Sequence, residues 1–136
     1  MFTISSESDY GLIILSSLLK NDSYVSLTDV VRKTDLPQHY LARIAGTLVK
    51  HGLLISREGR DGGYKVTAKV RTMSLFDYLM IFEKNVEISK CCIKAFTCHF
   101  MRICRHGNFF QNKLTNMLSG QLKKIKLVDI FETTNT

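Results

Sequence analysis

Cysteine is absent from the sequence except between Cys91 and Cys104, a stretch of fourteen residues that holds all four thiols. No apolar run approaches the roughly 20 residues that a membrane span requires. No basic and then apolar stretch precedes a cleavage site near the N-terminus. We therefore expect a cytoplasmic protein whose thiols stay reduced. A chain of 136 residues can bury a core without disulfides, so the cysteines need another explanation.

The sequence also lacks internal repeats, low-complexity tracts and the constellations of an enzyme. It shows no nucleophile with a plausible base, no glycine loop that would cradle a phosphate and no pair of carboxylates at catalytic spacing. The composition is that of one ordinary globular domain, and we predict that it is not an enzyme. The net charge of +7 favours polyanionic partners, of which nucleic acid is the commonest.

Hydrophobic periodicity predicts three helices and a hairpin in the first half of the chain. The opening helix, "SSESDYGLIILSSLL", has two apolar faces, which indicates burial against another helix or a partner subunit. A short helix, "SLTDVVRKT", is capped by Ser26. A third follows Pro37, has Leu41, Ile44, Ala45 and Leu48 on its inward face, and ends at Gly52. Two strands, Leu54–Arg57 and Tyr64–Val66, flank the turn "EGRDGG".

This order of elements is that of a winged helix-turn-helix. The predicted fold is mostly α with a small β-hairpin: a winged domain over residues 1–73, with helix 74–84 packed on it. A cysteine-containing loop follows over 88–107. Residues 108–132 are predicted to form a long C-terminal dimerisation helix and a short turn, with Phe110, Leu114, Met117, Leu118 and Ile125 on one apolar stripe. A second copy of the chain would cover that stripe.

In such a fold the helix from Pro37 to Lys50 enters the major groove of DNA, where arginine reads guanine and glutamine reads adenine. An arginine at the hairpin tip suits a narrow minor groove. The acid Glu58 and the apolar Ala42 depart from an ideal reading surface. The alternative is that the polar face is only solvated. The predicted DNA contacts are Gln38, His39 and Arg43 from the helix, Ser26, Thr28 and Tyr40 to phosphates, and Arg57 and Arg60 at the tip.

Cys92, Cys98 and Cys104 are six residues apart, so on one helix their thiols would point in different directions. They meet only if the segment folds as a loop. The C-x2-C pairs of common zinc sites are absent. Three thiolates around an iron–sulfur cluster and buried structural thiols both remain open at this point.

Four stretches are similar to the IscR/NsrR family of bacterial winged-helix regulators over nearly the whole chain. They are "SDYGL", "DLPQHYLARIAGTLVKHGLL", the wing "SREGRDGGY" and the C-x5-C-x5-C motif. The resemblance implies a homodimeric repressor on a roughly palindromic double-stranded DNA operator. It also implies a [2Fe–2S] or [4Fe–4S] cluster on Cys92, Cys98 and Cys104, with Asp9 of the other subunit as fourth ligand. His106 is the alternative ligand, although it follows the last cysteine by two residues rather than three.

Such a cluster would sense nitric oxide, redox state, or iron and cluster supply. Two other functions stay open. One is a redox switch without a cluster, in which Lys90, Lys94, Arg102 or Arg105 stabilises a thiolate. The other is a protein-interaction module that acts through the C-terminal helix.

Overall fold

The computed structural model describes residues 3–84, 86 and 98–133. These residues form a mostly helical structure with one two-stranded antiparallel sheet, as predicted. The elements are α1 Ser6–Leu19, α2 Leu27–Thr34, α3 Gln38–Lys50, β1 Leu54–Arg57, β2 Gly63–Val66, α4 Lys69–Thr72, α5 Leu75–Phe82, a π-helical segment Phe109–Leu114, α6 Thr115–Lys124 and α7 Leu127–Thr133.

Local sequence signals set the helix ends. The hydroxyls of Ser5, Ser26 and Ser74 each accept a hydrogen bond from a backbone N–H in the first turn of α1, α2 and α5. Gly52, with φ +79°, follows the end of α3, where the left-handed conformation costs glycine little. Pro37 precedes the first residue of α3 rather than occupying it.

The core lies between α1, α3 and α5. The inward face of α3 is the predicted one, since Leu41, Ile44, Ala45 and Leu48 are all buried. The predicted apolar faces of α1 are each covered in part. Ile14 and Leu18 of the first face and Leu15 of the second are buried. The other members, Tyr10, Leu12, Ile13 and Leu19, are only half-buried.

The hairpin is anchored to the chain that precedes α2. Leu54 pairs with Val66 and Arg57 with Gly63, so β2 begins one residue earlier than predicted. Val25 adds a bridge to Tyr64, with N–O distances of 2.9 and 2.8 Å in the two directions. This bridge holds the wing against the N-terminus of α2.

The C-terminal helix is present, as the sequence predicts, but its first part, Phe109–Leu114, is π-helical rather than α-helical. A π-helical segment has more residues per turn than an α-helix, so it rotates the side chains that follow it and divides the predicted stripe. Leu118 packs against the core, whereas Met117 is 57% exposed. The helix stops before Ile125, which is extended.

The predicted terminal turn is the helix α7, and its Leu127 is fully buried. The N–H of Leu75 donates to the carbonyl of Ile125, and the N–H of Leu127 donates to that of Met73. Since α6 contacts α5 and α7 contacts α4, this part of the chain packs on the winged domain. Among the described residues, no helix is long and apolar enough to cross a membrane.

Candidate nucleic-acid interface and cysteine segment

The solvent face of α3 presents Gln38 and His39 in its first turn and Arg43 one turn later, all exposed. Arg43 is already engaged within the chain. Its Nη2 donates to Oε1 of Glu7 at 2.9 Å, and its guanidinium lies 5.1 Å from the ring centre of Tyr40. The sequence placed Arg43 on the reading face but gave no indication of Glu7, which lies 36 residues away.

Tyr40, predicted to contact phosphate, is half-buried and packs against the core. Its ring meets that of Tyr10 edge-on, with 5.6 Å between centroids. Tyr40 therefore packs its ring against the guanidinium of Arg43 and, through Tyr10, connects α3 to α1. Its contact with phosphate remains a prediction.

A second group of predicted contacts surrounds a cleft between the wing and the N-terminus of α2. Arg57 lies over the ring of Tyr24 at 5.5 Å. Ser26 caps α2 through its oxygen, which leaves the hydroxyl proton available to donate to a phosphate. Thr28 is exposed beside it. The cleft is lined by Ser26, Arg57, Arg60 and Lys65, and also by Asp22, Asp29 and Asp61.

The three aspartates of this cleft are part of an uneven distribution of charge along the chain, which the net charge alone does not show. Residues 1–87 contain eleven lysines and arginines against ten acids, so this part of the chain is almost neutral. Residues 88–128 contain eight basic residues and no aspartate or glutamate. The excess positive charge thus lies on the cysteine-containing and C-terminal part. Attraction of DNA to the winged domain must come from the local placement of its arginines, because the field of an almost neutral domain is weak.

Two of the three predicted cysteine ligands, Cys98 and Cys104, fall within the described residues, whereas Cys92 and the additional Cys91 lie outside them. The sulfur of Cys98 accepts a hydrogen bond from the N–H of Phe100 at 3.4 Å. That of Cys104 accepts from the N–H of Gly107 at 3.2 Å. A Cβ at residue 107 would lie 3.2 Å from this sulfur, so glycine lets the backbone approach.

Hydrogen bonds from backbone amides to sulfur are one of the means by which proteins tune thiolates on iron. The surroundings of both sulfurs therefore fit iron–sulfur ligation. Within the described ranges, no three or more His, Cys, Asp and Glu residues are arranged to hold a metal ion. Completing a ligand set needs Cys92 and a further group.

The two candidates for that group lie in different places. Nδ1 of His106 is 3.7 Å from the sulfur of Cys104, and its ring stands edge-on to Phe110. Asp9 is exposed on α1 and lines a groove with Leu12 and Ile13 of the same helix. Ile130 and Phe131 of α7 form the other wall. Asp9 thus lies at the edge of a groove between α1 and α7.

A polar network joins the end of α5 to the start of α1. Oε1 of Glu83 accepts from the N–H of Ser5 at 2.8 Å and from the hydroxyl of Ser8 at 2.6 Å. Ser8 is fully buried, and its carbonyl accepts from the hydroxyl of Tyr78 at 2.6 Å. Burial raises the pKa of Tyr78 far above its ordinary value, so this hydroxyl stays protonated as a donor. Sequence reasoning missed the network because its members are 70 or more residues apart.

The ionisation of Glu83 makes the network sensitive to pH. Burial acts to raise the pKa of this carboxyl, but hydrogen bonds from Ser8 and Ser5 outweigh it and hold the pKa below the usual 4.5. A depressed pKa contributes stability above the unfolded pKa, and that contribution is lost as pH falls through the folded value. The stability advantage of the wild type over Glu83→Gln should therefore shrink as pH falls below about 4.5.

Urea unfolding of the two proteins at pH 7 and in steps down to pH 3.5 measures this difference. Ser8→Ala should show a smaller acid dependence than the wild type, because it removes the strongest hydrogen bond to the carboxylate. A constant difference between wild type and Glu83→Gln over this range would contradict the assignment.

A helix-turn-helix with polar side chains on the solvent face of its second helix, followed by a hairpin wing, defines a transcriptional regulator of the DNA-binding class. The model of the Rrf2 family, described as an iron-dependent transcriptional regulator, matches residues 4–133, and the chain belongs to this family. The resemblance to the IscR type is thereby confirmed.

Two relatives and one solved structure illustrate the similarity. IscR of Photobacterium profundum is 25% identical over 119 residues, which is 88% of this chain and 68% of that protein. CymR of Bacillus subtilis is 29% identical over 86 residues, 62% of each chain. The solved structure of B. subtilis CymR, a global cysteine regulator, matches with a TM-score of 0.76 at 21% identity, covering 99% of this chain and 100% of that one. This last likeness shows the fold.

Proposed function

We propose that the protein is a homodimeric transcriptional repressor whose affinity for its operator is controlled by an iron–sulfur cluster on Cys92, Cys98 and Cys104. The observation that carries the proposal is the pair of cysteine sulfurs, each with a backbone N–H donated to it, in a chain of the Rrf2 family. The cluster, when bound, would supply chemistry sensitive to nitric oxide, oxidants or iron supply.

DNA reading is assigned to Gln38, His39 and Arg43 on the exposed face of α3. Ser26, Thr28 and Tyr40 would set the position on phosphates. Arg57 and Arg60 at the wing would reach the adjacent groove. The near-neutral charge of residues 1–87 supports a sequence-specific rather than a purely electrostatic mode, because attraction to any duplex would need a larger local excess of positive charge.

Dimerisation is supported by apolar surface near both candidate ligands. Leu12 and Ile13 are only half-buried in the groove that Asp9 lines. Phe100, Met101 and Ile103, beside Cys104, are 64%, 75% and 77% exposed. In a symmetric dimer that covers these side chains, the cysteine segment of each subunit would lie at the groove of the other. We therefore assign Asp9 of the other subunit as the fourth ligand of each cluster, with His106 as the alternative.

The test begins with protein purified without oxygen, whose visible spectrum, iron and acid-labile sulfide are measured together. We expect a brown protein, and we expect Cys98→Ala and Cys104→Ala to lose both iron and sulfide. Cys91→Ala is the matched control and should retain them. Asp9→Ala and His106→Ala separate the two candidates for the fourth ligand.

The second arm selects operators from a random duplex pool and compares loaded with stripped protein. Gln38→Ala should weaken binding to the selected site by about 10-fold, since a bidentate base contact is worth about 1–3 kcal/mol, and should leave binding to unrelated DNA unchanged. A colourless protein after enzymatic reconstitution, whose operator affinity follows thiol oxidation, would identify a redox switch. Absence of salt-dependent DNA binding would identify a protein-interaction module.

A further inference from the structure

The first turn of α1 contacts two parts of the chain that the proposed mechanism uses: the residue that follows α5, before the cysteine segment, and the DNA-reading face of α3. On one side, Ser5 and Ser8 donate to the carboxylate of Glu83, the residue that follows α5 and lies nine positions before Cys92. On the other side, Glu7 accepts from Arg43 at 2.9 Å on the reading face of α3. The two contacts are made by neighbouring residues of one helical turn.

The two ends of this arrangement differ in rigidity. Ser8 is fully buried, and the Glu83 carboxylate holds the backbone N–H of Ser5 as well as the Ser8 hydroxyl, so the junction with α5 is fixed. The side chains of Glu7 and Arg43 are 44% and 65% exposed. An ion pair this exposed is weak and easily exchanged. A displacement of Ser8 and Glu83 would therefore break the Glu7–Arg43 ion pair before it broke the hydrogen bonds to Glu83.

We propose that Glu83, Ser8 and Glu7 form a link through which a rearrangement of the cysteine segment changes how Arg43 is presented to DNA. The inference rests on the proposed function and adds a route and a positioning residue to it. Glu7 holds one N–H of the guanidinium and places a negative charge beside it. When the link is relaxed, Arg43 is free to offer both donors of a guanidinium edge to a guanine.

The experiment compares the operator affinity of loaded and stripped protein in four variants. Ser8→Ala and Glu83→Ala break the rigid end, and Glu7→Gln breaks the weak end. We expect each to reduce the ratio of the two affinities by about 2- to 30-fold, the usual effect of residues that carry coupling. Glu58→Gln removes an exposed acid from the wing and is the matched control. It should change both affinities by the same factor and leave their ratio unchanged.

A second measurement follows the ¹H–¹⁵N cross-peak of the Arg43 side-chain Nε in stripped protein, assigned by its loss in Arg43→Lys. Ser8→Ala and Glu83→Ala should move this cross-peak in the same direction as Glu7→Gln. A stationary cross-peak with an unchanged affinity ratio would overturn the link while the regulator proposal stood. A wild-type affinity ratio of one would overturn cluster control, and with it the link as a route from the cysteine segment; a cross-peak that still moved would then show only that Ser8 and Glu83 position Arg43.

Discussion

Gly63→Ala should destabilise the protein by about 2–5 kcal/mol, through added backbone strain and overpacking at one position. The φ of Gly63 is +141°, a conformation that L-residues rarely adopt. A Cβ there would also collide with the backbone carbonyl of Val25. That carbonyl accepts the N–H of Tyr64 in the bridge that anchors the wing, so the methyl group cannot be accommodated without breaking the anchor.

Gly59→Ala is the matched control for this prediction. Gly59 also has a positive φ, +108°, but a Cβ there would have no atom within 4 Å. It should cost about 1–2 kcal/mol from backbone strain alone. Urea unfolding followed by far-UV circular dichroism measures both variants, and equal losses would show that the Val25 contact is not the cause.

Gly63→Ala should also affect DNA binding. The bridge between Val25 and Tyr64 sets the wing beside the N-terminus of α2, where Arg57 lies over Tyr24. Gly63→Ala should therefore lower operator affinity even at temperatures where the variant is folded, whereas Gly59→Ala should lower it less.

Gly11→Ala should destabilise the protein by about 1–3 kcal/mol, although alanine is the better helix former by about 1 kcal/mol. Gly11 is buried on α1 against α5. An added Cβ would collide with the hydroxyl of Tyr78 and lie 3.2 Å from the ring of Phe82. Tyr78 cannot retreat without giving up its hydrogen bond to Ser8, so the helix gain does not offset the collision.

Gly120→Ala in α6 provides the comparison, because a Cβ there would meet nothing within 4 Å. It should stabilise the protein by about 0.5–1 kcal/mol through helix propensity. Thermal and urea unfolding of the two variants should therefore shift in opposite directions. A stabilised Gly11→Ala would mean that α1 and α5 separate enough to admit a methyl group.

Residues that act through their immediate neighbours were predicted well from the sequence. The Ser26 cap, the glycine after α3 and the hairpin all follow from local chemistry. The stripe of α3 followed from a single period, because the helix is regular throughout. The π-helical segment in the C-terminal helix was not predicted, because no pattern of residue types indicates the change of period.

Within the candidate site, the sequence identified Arg43 and the cysteines by residue type and spacing, and it placed Arg43 on an exposed face. It did not identify their neighbours. Net charge was misleading for the winged domain, because the basic excess lies in residues 88–128. The role of the cysteines came from the resemblance; the family match confirms the family, and the role of the cysteines stays a prediction.

The order of elements from α1 to β2, the Ser26 cap, the inward face of α3 and the family could be predicted from the sequence, because each depends on residues close together in the chain. The folded chain was needed to show that Glu7 holds Arg43, that Glu83 holds Ser8, and that Asp9 lines a groove. These depend on which surfaces meet when helices pack. Polar side chains that pair across dozens of residues produce no periodic pattern in the sequence, because such a hydrogen bond depends only on how the two residues are placed in the folded chain.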